Sequence, residues 1–165
     1  MIIRRAFPAD AEGLARVDID SHVAAYAHVF DVSRYASGPA QFVALWQRLT
    51  GPESPWAPSE VYVAELGGII EGYAICGPSR DEDGGGIGEV GALYVHPDRW
   101  RQGIGAALLA AAYRELSARG FTEATLWVVE ANAQARAFYV KEGWLADGLE
   151  RTVHDRAELR YRRTL

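Results

Sequence analysis

Between residues 99 and 108 the chain reads Arg99-Trp100-Arg101-Gln102-Gly103-Ile104-Gly105-Ala106-Ala107-Leu108, two glycines at the head of an alanine- and leucine-rich helical stretch. A helix start offers free backbone N–H groups and the positive end of its dipole, and glycines let a phosphate approach the backbone. Gly103 and Gly105 have no Cβ to hold such an anion away, and Ile104 between them is free to turn into the core. The same glycines would also relieve crowding at a helix contact, so the spacing alone leaves both readings open. Two familiar phosphate loops are excluded. Leu108 stands where a dinucleotide fingerprint needs its third glycine, and the chain's one lysine, Lys141, is far from the place a P-loop requires.

Other residues could move protons. Tyr139 is a phenol with an ordinary pKa of about 10, so it keeps its proton at neutral pH and can donate it; it also suits a core position one turn beyond Ala135. Asn132 suits a helix N-cap, and Arg136 suits either phosphate oxygens or a solvated helix face. Glu89 shares side-chain parity with Gly91, Leu93 and Val95 unless a bulge intervenes. With an ordinary carboxylate pKa near ~4, it needs burial or a water relay to take a proton from an ammonium; a surface carboxylate at a strand edge is the plainer alternative. His22, His28 and His96 are scattered, none at zinc spacing, and no metal is expected. Cys76 is the single cysteine, which excludes an intrachain disulfide and suits a core position.

The elements that must position these groups follow from periodicity. Residues 1–6 read as a strand, and Asp10 as the N-cap of a helix over 11–26. A second helix covers 39–49. Strands at 61–66 and 69–77 meet at Gly67-Gly68, a hairpin turn, and a longer strand over 87–95 is ended by Pro97. Residues 102–118 form the clearest helix, with Ile104, Leu108, Leu109, Ala112, Tyr113 and Leu116 at three-to-four spacing and Gly120 as its stop. A β-branched strand over 122–129, a short helix from 132 or 133 to about 143, and strands at 144–149 and 158–162 complete the chain. The order is mixed α/β (α+β), with a mostly antiparallel sheet of six to seven strands and about four helices, in a single domain spanning 1–165.

Composition sets the frame. A chain of 165 residues with 49% hydrophobic and 24% charged residues is an ordinary globular domain. The net charge of −5 supplies no basic field for nucleic acid. No secretory leader or membrane span is legible, so a cytoplasmic protein is expected.

Residues 95–109, from Val95-His96-Pro97 through Gly103-Ile104-Gly105 to Leu109, resemble the acetyl-CoA signature of the GNAT family of N-acetyltransferases. Trp100 stands where the pattern has Arg or Gln; either Arg101 next to it supplies the charge or the backbone donors act alone. A second stretch, Asn132-Ala133-Gln134-Ala135-Arg136-Ala137-Phe138-Tyr139, is similar to the family's N-x-x-A-x-x-[FL]-Y element, and Gly143-Trp144 follows like its Gly-aromatic end. The resemblance spans about 61–144 and implies an acyl-CoA N-acyltransferase fold that moves an acetyl group from acetyl-CoA to an amine by direct attack. It implies that the strand before the pyrophosphate loop splays from its neighbour to admit pantetheine, and that N–H groups near Leu93, Tyr94 and Val95 polarise the acetyl oxygen. It implies cofactor contacts from Arg101, Gln102, Gly103, Ile104, Gly105, Ala106, Asn132, Arg136 and Tyr139, with Tyr139 protonating the departing sulfur and Glu89 acting as base through water. Relatives commonly dimerise. Another acyl-CoA donor, or a non-catalytic CoA-binding regulatory domain, are the rival readings. The acceptor, a small-molecule or peptide amine, is expected where Tyr26, Phe30, Trp46 and Trp56 gather with Asp20 and Asp31 near them, a rim suited to a cation.

Overall fold

The computed structural model describes residues 1–27, 31–36 and 39–165. Seven strands form one sheet: β1 Ile2–Arg5, β2 Glu60–Leu66, β3 Ile69–Pro78, β4 Gly88–Val95, β5 Glu123–Val129, β6 Leu145–Val153 and β7 Arg156–Thr164, in the order β1-β2-β3-β4-β5-β7-β6. Helices α1 Ala11–Tyr26 and α3 Pro39–Leu49, with the one-turn α2 Ser33–Ala36 between them, precede β2; α4 Ile104–Ala118 links β4 to β5, and α5 Ala133–Lys141 links β5 to β6. The α/β class and the mostly antiparallel sheet expected from the sequence are both present.

Helices cover both faces, which is why β3 is buried along nearly its whole length and reads as a continuous apolar run. On one face α1 and α3 pack Leu14, Val17, Phe42 and Trp46 against Val63, Tyr73 and Ile75. On the other, α4 turns Leu109, Ala112 and Leu116 onto Cys76, Val90 and Leu126, while Ile104 and Leu108 meet Ala64 and Ala74. Leucines as fully enclosed as Leu108 and Leu116 contribute roughly 1.5–3 kcal/mol each relative to exposure. Burial also accounts for Cys76, whose thiol is pushed up to about 12 by desolvation and stays an inert core group.

Asp10 does not cap α1. It closes a 3₁₀ turn at Pro8–Asp10, accepting from the Phe7 N–H at 2.8 Å and from both terminal nitrogens of Arg4 at 2.7 Å. The Arg4 guanidinium and the Phe7 amide hold its carboxyl below the ordinary aspartate value despite its burial. A charged partner on β1 outcompetes the helix amides for this side chain.

Two irregularities of β4 prepare the site. The β3–β4 register shifts between Ile75 and Cys76: Ile75 faces Ala92 and Cys76 faces Val90, so Gly91 is the extra, bulged residue. The parallel β4–β5 pairing consists of Gly88 with Ala124 and Glu89 with Thr125, after which the two strands part.

Candidate active site

The chain leaves β4 at Val95, makes a 3₁₀ turn at Pro97–Arg99, and enters α4 through Gly103, whose φ of +81° is a left-handed conformation that favours glycine. Arg101 is also left-handed, with φ of 61°. The first main-chain hydrogen bond of the helix runs from the Ala107 N–H to the Gly103 carbonyl at 3.1 Å, which leaves the N–H groups of residues 102–106 to a ligand. A Cβ on Gly103 would meet nothing within 4 Å, so the space above the loop is open.

Side chains brace this loop from below. The Trp100 indole N–H donates to the Val95 carbonyl at 2.8 Å, tying the loop back to the end of β4, and the Gln102 side-chain amide donates to the Asp98 carbonyl at 3.1 Å. Trp100, at the position where the resemblance has Arg or Gln, is therefore a structural pin. Glu71, buried on β3, accepts from Arg99 at 3.0 Å and from Arg16 of α1 at 2.8 Å. Burial alone would raise its carboxyl; the two guanidiniums outweigh it and hold the group below its ordinary value. His96 is a turn residue whose Nδ1 accepts from the Asp98 N–H and whose Nε2 lies 3.1 Å from Asp20.

The two sequence signatures meet in space. A Cβ on Gly105 would stand 3.1 Å from the Phe138 ring, so Gly105 is small because α5 packs there. The crowding reading thus holds for Gly105, which admits the neighbouring helix, while Gly103 sets the left-handed turn of the backbone. Asn132 caps α5 by accepting from the Ala135 N–H at 3.0 Å, and its amide donates to the Tyr26 hydroxyl at 3.4 Å. The Arg136 guanidinium donates to the Glu130 carbonyl at 3.2 Å and approaches the Tyr161 hydroxyl at 3.5 Å, which places it at the β5–α5 turn. Tyr139 is buried against Trp144 and Phe138. Desolvation first, then the neighbouring Tyr26 and Tyr113, push its hydroxyl well above the usual phenol range, so it is protonated at neutral pH.

Among the described residues, the β5-facing edge of β4 beyond Glu89, residues 90–95, has no strand partner, while its other edge is paired with β3 except at the bulged Gly91. An extended ligand can hydrogen-bond to that edge as an added strand does. Burial, followed by the neighbouring Tyr26, pushes the Tyr94 hydroxyl well up, so it too is neutral. Open amides at the head of α4 and an open edge on β4 together fit a diphosphate followed by an amide-bearing arm.

The bulge at Gly91 overturns the parity expected for Glu89. Ala92 and Tyr94 pack on the α1–α3 side and Leu93 and Val95 on the α4 side, while Glu89 lines a cavity with Ile75 and Ala92 on the α1–α3 side. Nor is Glu89 a surface group. Its side chain is 7% exposed and accepts from the Arg80 backbone N–H at 3.0 Å, Nε at 3.2 Å and Nη2 at 2.7 Å. His22 has a buried partner: its Nδ1 lies 3.0 Å from the Asp18 carboxylate, which also accepts from Tyr73 at 2.9 Å. Its ring stacks on Tyr94 with centroids 4.4 Å apart and on Tyr35 at 4.8 Å.

The aromatic rim expected for the acceptor does not gather in one place. Trp46 is 2% exposed and stacks edge-on against Tyr73 and Trp56, with an indole N–H that has no partner among the described residues; it is core because α3 turns it onto the sheet. Tyr26 is buried beside Asn132, Asp31 holds Ser33, and Asp20 meets His96. Phe30 and His28 lie outside the described residues. Sequence reasoning missed Arg80, which reads as a loop residue, and the Asp18–His22 pair. The lone glycine inside the β4 pattern was the one signal of a bulge. Among the described residues no group of three His, Cys, Asp or Glu side chains could hold a metal ion, and no described helix is long and apolar enough to cross a membrane.

A seven-stranded mixed sheet whose central parallel pair splays beside a glycine-led helix defines an acyl-CoA transferase class of fold, and the chain matches the Acetyltransferase (GNAT) family over residues 19–144. It belongs to that family. It is 33% identical over 134 residues to an uncharacterized N-acetyltransferase, YuaI, of Bacillus subtilis, covering 79% of this chain and 72% of that protein. An uncharacterized N-acetyltransferase of Archaeoglobus fulgidus is 30% identical over 148 residues, covering 86% and 91%. Among solved structures, the PaiA N-acetyltransferase of Thermoplasma acidophilum in complex with coenzyme A shares the fold with a TM-score of 0.74 at 19% identity over 96% of each chain. YncA of Salmonella typhimurium, a structure with its cofactor acetyl-CoA, does so with a TM-score of 0.67 at 21% identity, over 100% of this chain and 94% of that one.

Proposed function

We propose that this protein transfers an acetyl group from acetyl-CoA to an amine acceptor, small molecule or peptide, by direct attack in a ternary complex, and that it works in the cytoplasm. The observation that carries the reading is the row of free amides over residues 102–106, led by left-handed Gly103 and continuous with the unpaired edge of β4. The diphosphate of acetyl-CoA goes to those amides and its pantetheine arm to the β4 edge, where N–H groups of residues 93–95 stabilise charge on the thioester oxygen.

In the reaction the acceptor ammonium first gives one proton to Glu89, directly or through water. The neutral nitrogen attacks the thioester carbonyl carbon, forming the N–C bond. The C–S bond then breaks, and the departing thiolate takes the Tyr139 proton, which suits a buried, protonated phenol. The nitrogen loses its second proton, Tyr139 is reprotonated, and the products are an amide, CoA thiol and one released proton. Cys76, buried and held in its thiol form, takes no part.

Calorimetry with acetyl-CoA, followed by thiol-release assays against a panel of amines, tests this reading. Binding with amine-dependent release of CoA is the expected result, and absence of binding at millimolar acetyl-CoA would overturn it. Acetyl-CoA against longer acyl-CoAs in the same assay ranks the donor.

A further inference from the structure

Behind the bulge of β4 lies a cavity of about 250 Å³ whose walls are mostly apolar, with Trp56, Pro58 and Ile75 among them and Gly91 and Ala92 beside them. Its one ion pair is Glu89 with Arg80. The two partners are placed very differently. Among the described residues, the Glu89 side chain, 7% exposed, takes its hydrogen bonds from Arg80, whereas the Arg80 side chain is 67% exposed and shows no partner for its Nη1. Both sit over the bulged glycine: a Cβ on Gly91 would stand 3.0 Å from Arg80 Nη2 and 3.6 Å from Glu89 Oε1. A side chain at position 91 would require Arg80 to give by a few tenths of an ångström and would touch Glu89 at ordinary contact distance.

We propose that the pocket selects an acceptor carrying a carboxylate next to its amine, a free amino acid or a compound of that zwitterionic class, with the carboxylate on Arg80 and the ammonium on Glu89. The inference rests on the acetyl-transfer reading above and names the acceptor of that same site. Its physical basis is partner exchange. In the empty pocket Arg80 occupies the lone pairs that an ammonium or its proton would take. A simple amine could reach Glu89 only by leaving the guanidinium unpaired. A zwitterion exchanges one ion pair for two and leaves no charge unmatched, and a guanidinium fork fits a carboxylate with two parallel N–H donors. The apolar walls then receive the side chain of the acceptor, and Ala92 stands next to the β4 residues assigned to the thioester.

The test measures kcat/KM for CoA release with the twenty common L-amino acids, each beside its decarboxylated amine, using wild type and Arg80→Gln, with acetyl-CoA affinity measured in both. At least one amino acid should exceed its decarboxylated partner by on the order of tenfold or more, the scale of a charge-assisted hydrogen bond. Arg80→Gln should bring that ratio close to one, and Arg80→Lys should restore part of it. Equal or better use of decarboxylated amines by the wild type would overturn the proposal, as would a ratio that survives Arg80→Gln, or acetyl-CoA binding with no amino acid acetylated. Should Arg80→Gln fail to fold, the wild-type ratios decide alone. Failure of acetyl-CoA to bind would instead count against the acetyl-transfer reading itself.

Discussion

At its C-terminal end β4 runs directly into the 3₁₀ turn, the glycine loop and α4, so the site proposed for the diphosphate is made by consecutive residues and by backbone atoms. At its N-terminal end the groups that matter come from separate segments: Trp56 and Pro58 before β2, Arg80 after β3, and Glu89 and Gly91 on β4. One end offers main-chain donors that depend on residue type only through two glycines; the other offers side chains that tertiary packing brings together. The first arrangement suits a ligand common to a whole family, and the second suits an acceptor peculiar to one member. Changes at the two ends should therefore separate cofactor affinity from acceptor selectivity.

The largest effect expected is on the chemical step. Tyr139→Phe removes the proton donor while keeping the ring, and should lower kcat by about 10²–10⁴-fold, the range for a lost general acid, with acetyl-CoA affinity nearly intact. An unchanged kcat would remove Tyr139 from the mechanism. Gly103→Val comes next: a β-branched residue at φ +81° costs on the order of 1–3 kcal/mol locally and should weaken acetyl-CoA binding by about 10–100-fold in calorimetry. Stability should fall by about that same 1–3 kcal/mol, a backbone cost and not a packing one, because no neighbour lies within 4 Å of the added Cβ. Gly105→Leu is the converse. Its side chain runs into Phe138, so it should lose about 1–3 kcal/mol of stability in chemical denaturation as α4 and α5 are forced apart. If Gly103→Val unfolded the protein while Gly105→Leu spared it, the division of labour between the glycines would be wrong.

The smallest effect lies away from both ends. Asp10 is held by Arg4 below its ordinary carboxyl value, so its contribution is fully present above the unfolded aspartate pKa of about 4 and is lost as pH falls through the lower folded value. Asp10→Asn should destabilise the protein by about 0.5–1.5 kcal/mol near neutral pH, and the difference from wild type should close as pH drops below about 4. Urea melts at pH 7 and pH 3 read this directly, and a pH-independent difference would contradict it.

Legibility in the sequence followed the same division. The long helix, read over 102–118 and found over 104–118, and the hairpin at Gly67-Gly68 are local patterns of periodicity and turn chemistry, and the two signatures are local runs of residues that a resemblance picks out. Two things needed coordinates. The parity of Glu89 depends on a bulge at Gly91, because one extra residue transfers every later side chain to the opposite face. Arg80, the partner of Glu89, is set by which segments pack together, and no spacing rule identifies it in a charged loop; Asp18, the partner of His22, stands one turn earlier on the same helix, an i,i+4 spacing that the sequence itself carries. Trp46 was misjudged for the same reason: an aromatic at helical spacing reads equally well as rim or core until the helix has a partner, and here α3 turns it onto Tyr73.

Cofactor binding in this protein depends first on the amides at the head of α4. Backbone ¹H–¹⁵N spectra recorded during titration with CoA, and separately with pantetheine, which lacks the diphosphate, test this most directly. The amides of residues 102–106 should shift with CoA and stay in place with pantetheine, while residues on the open edge of β4 respond to both. CoA binding that leaves residues 102–106 unmoved would contradict the claim.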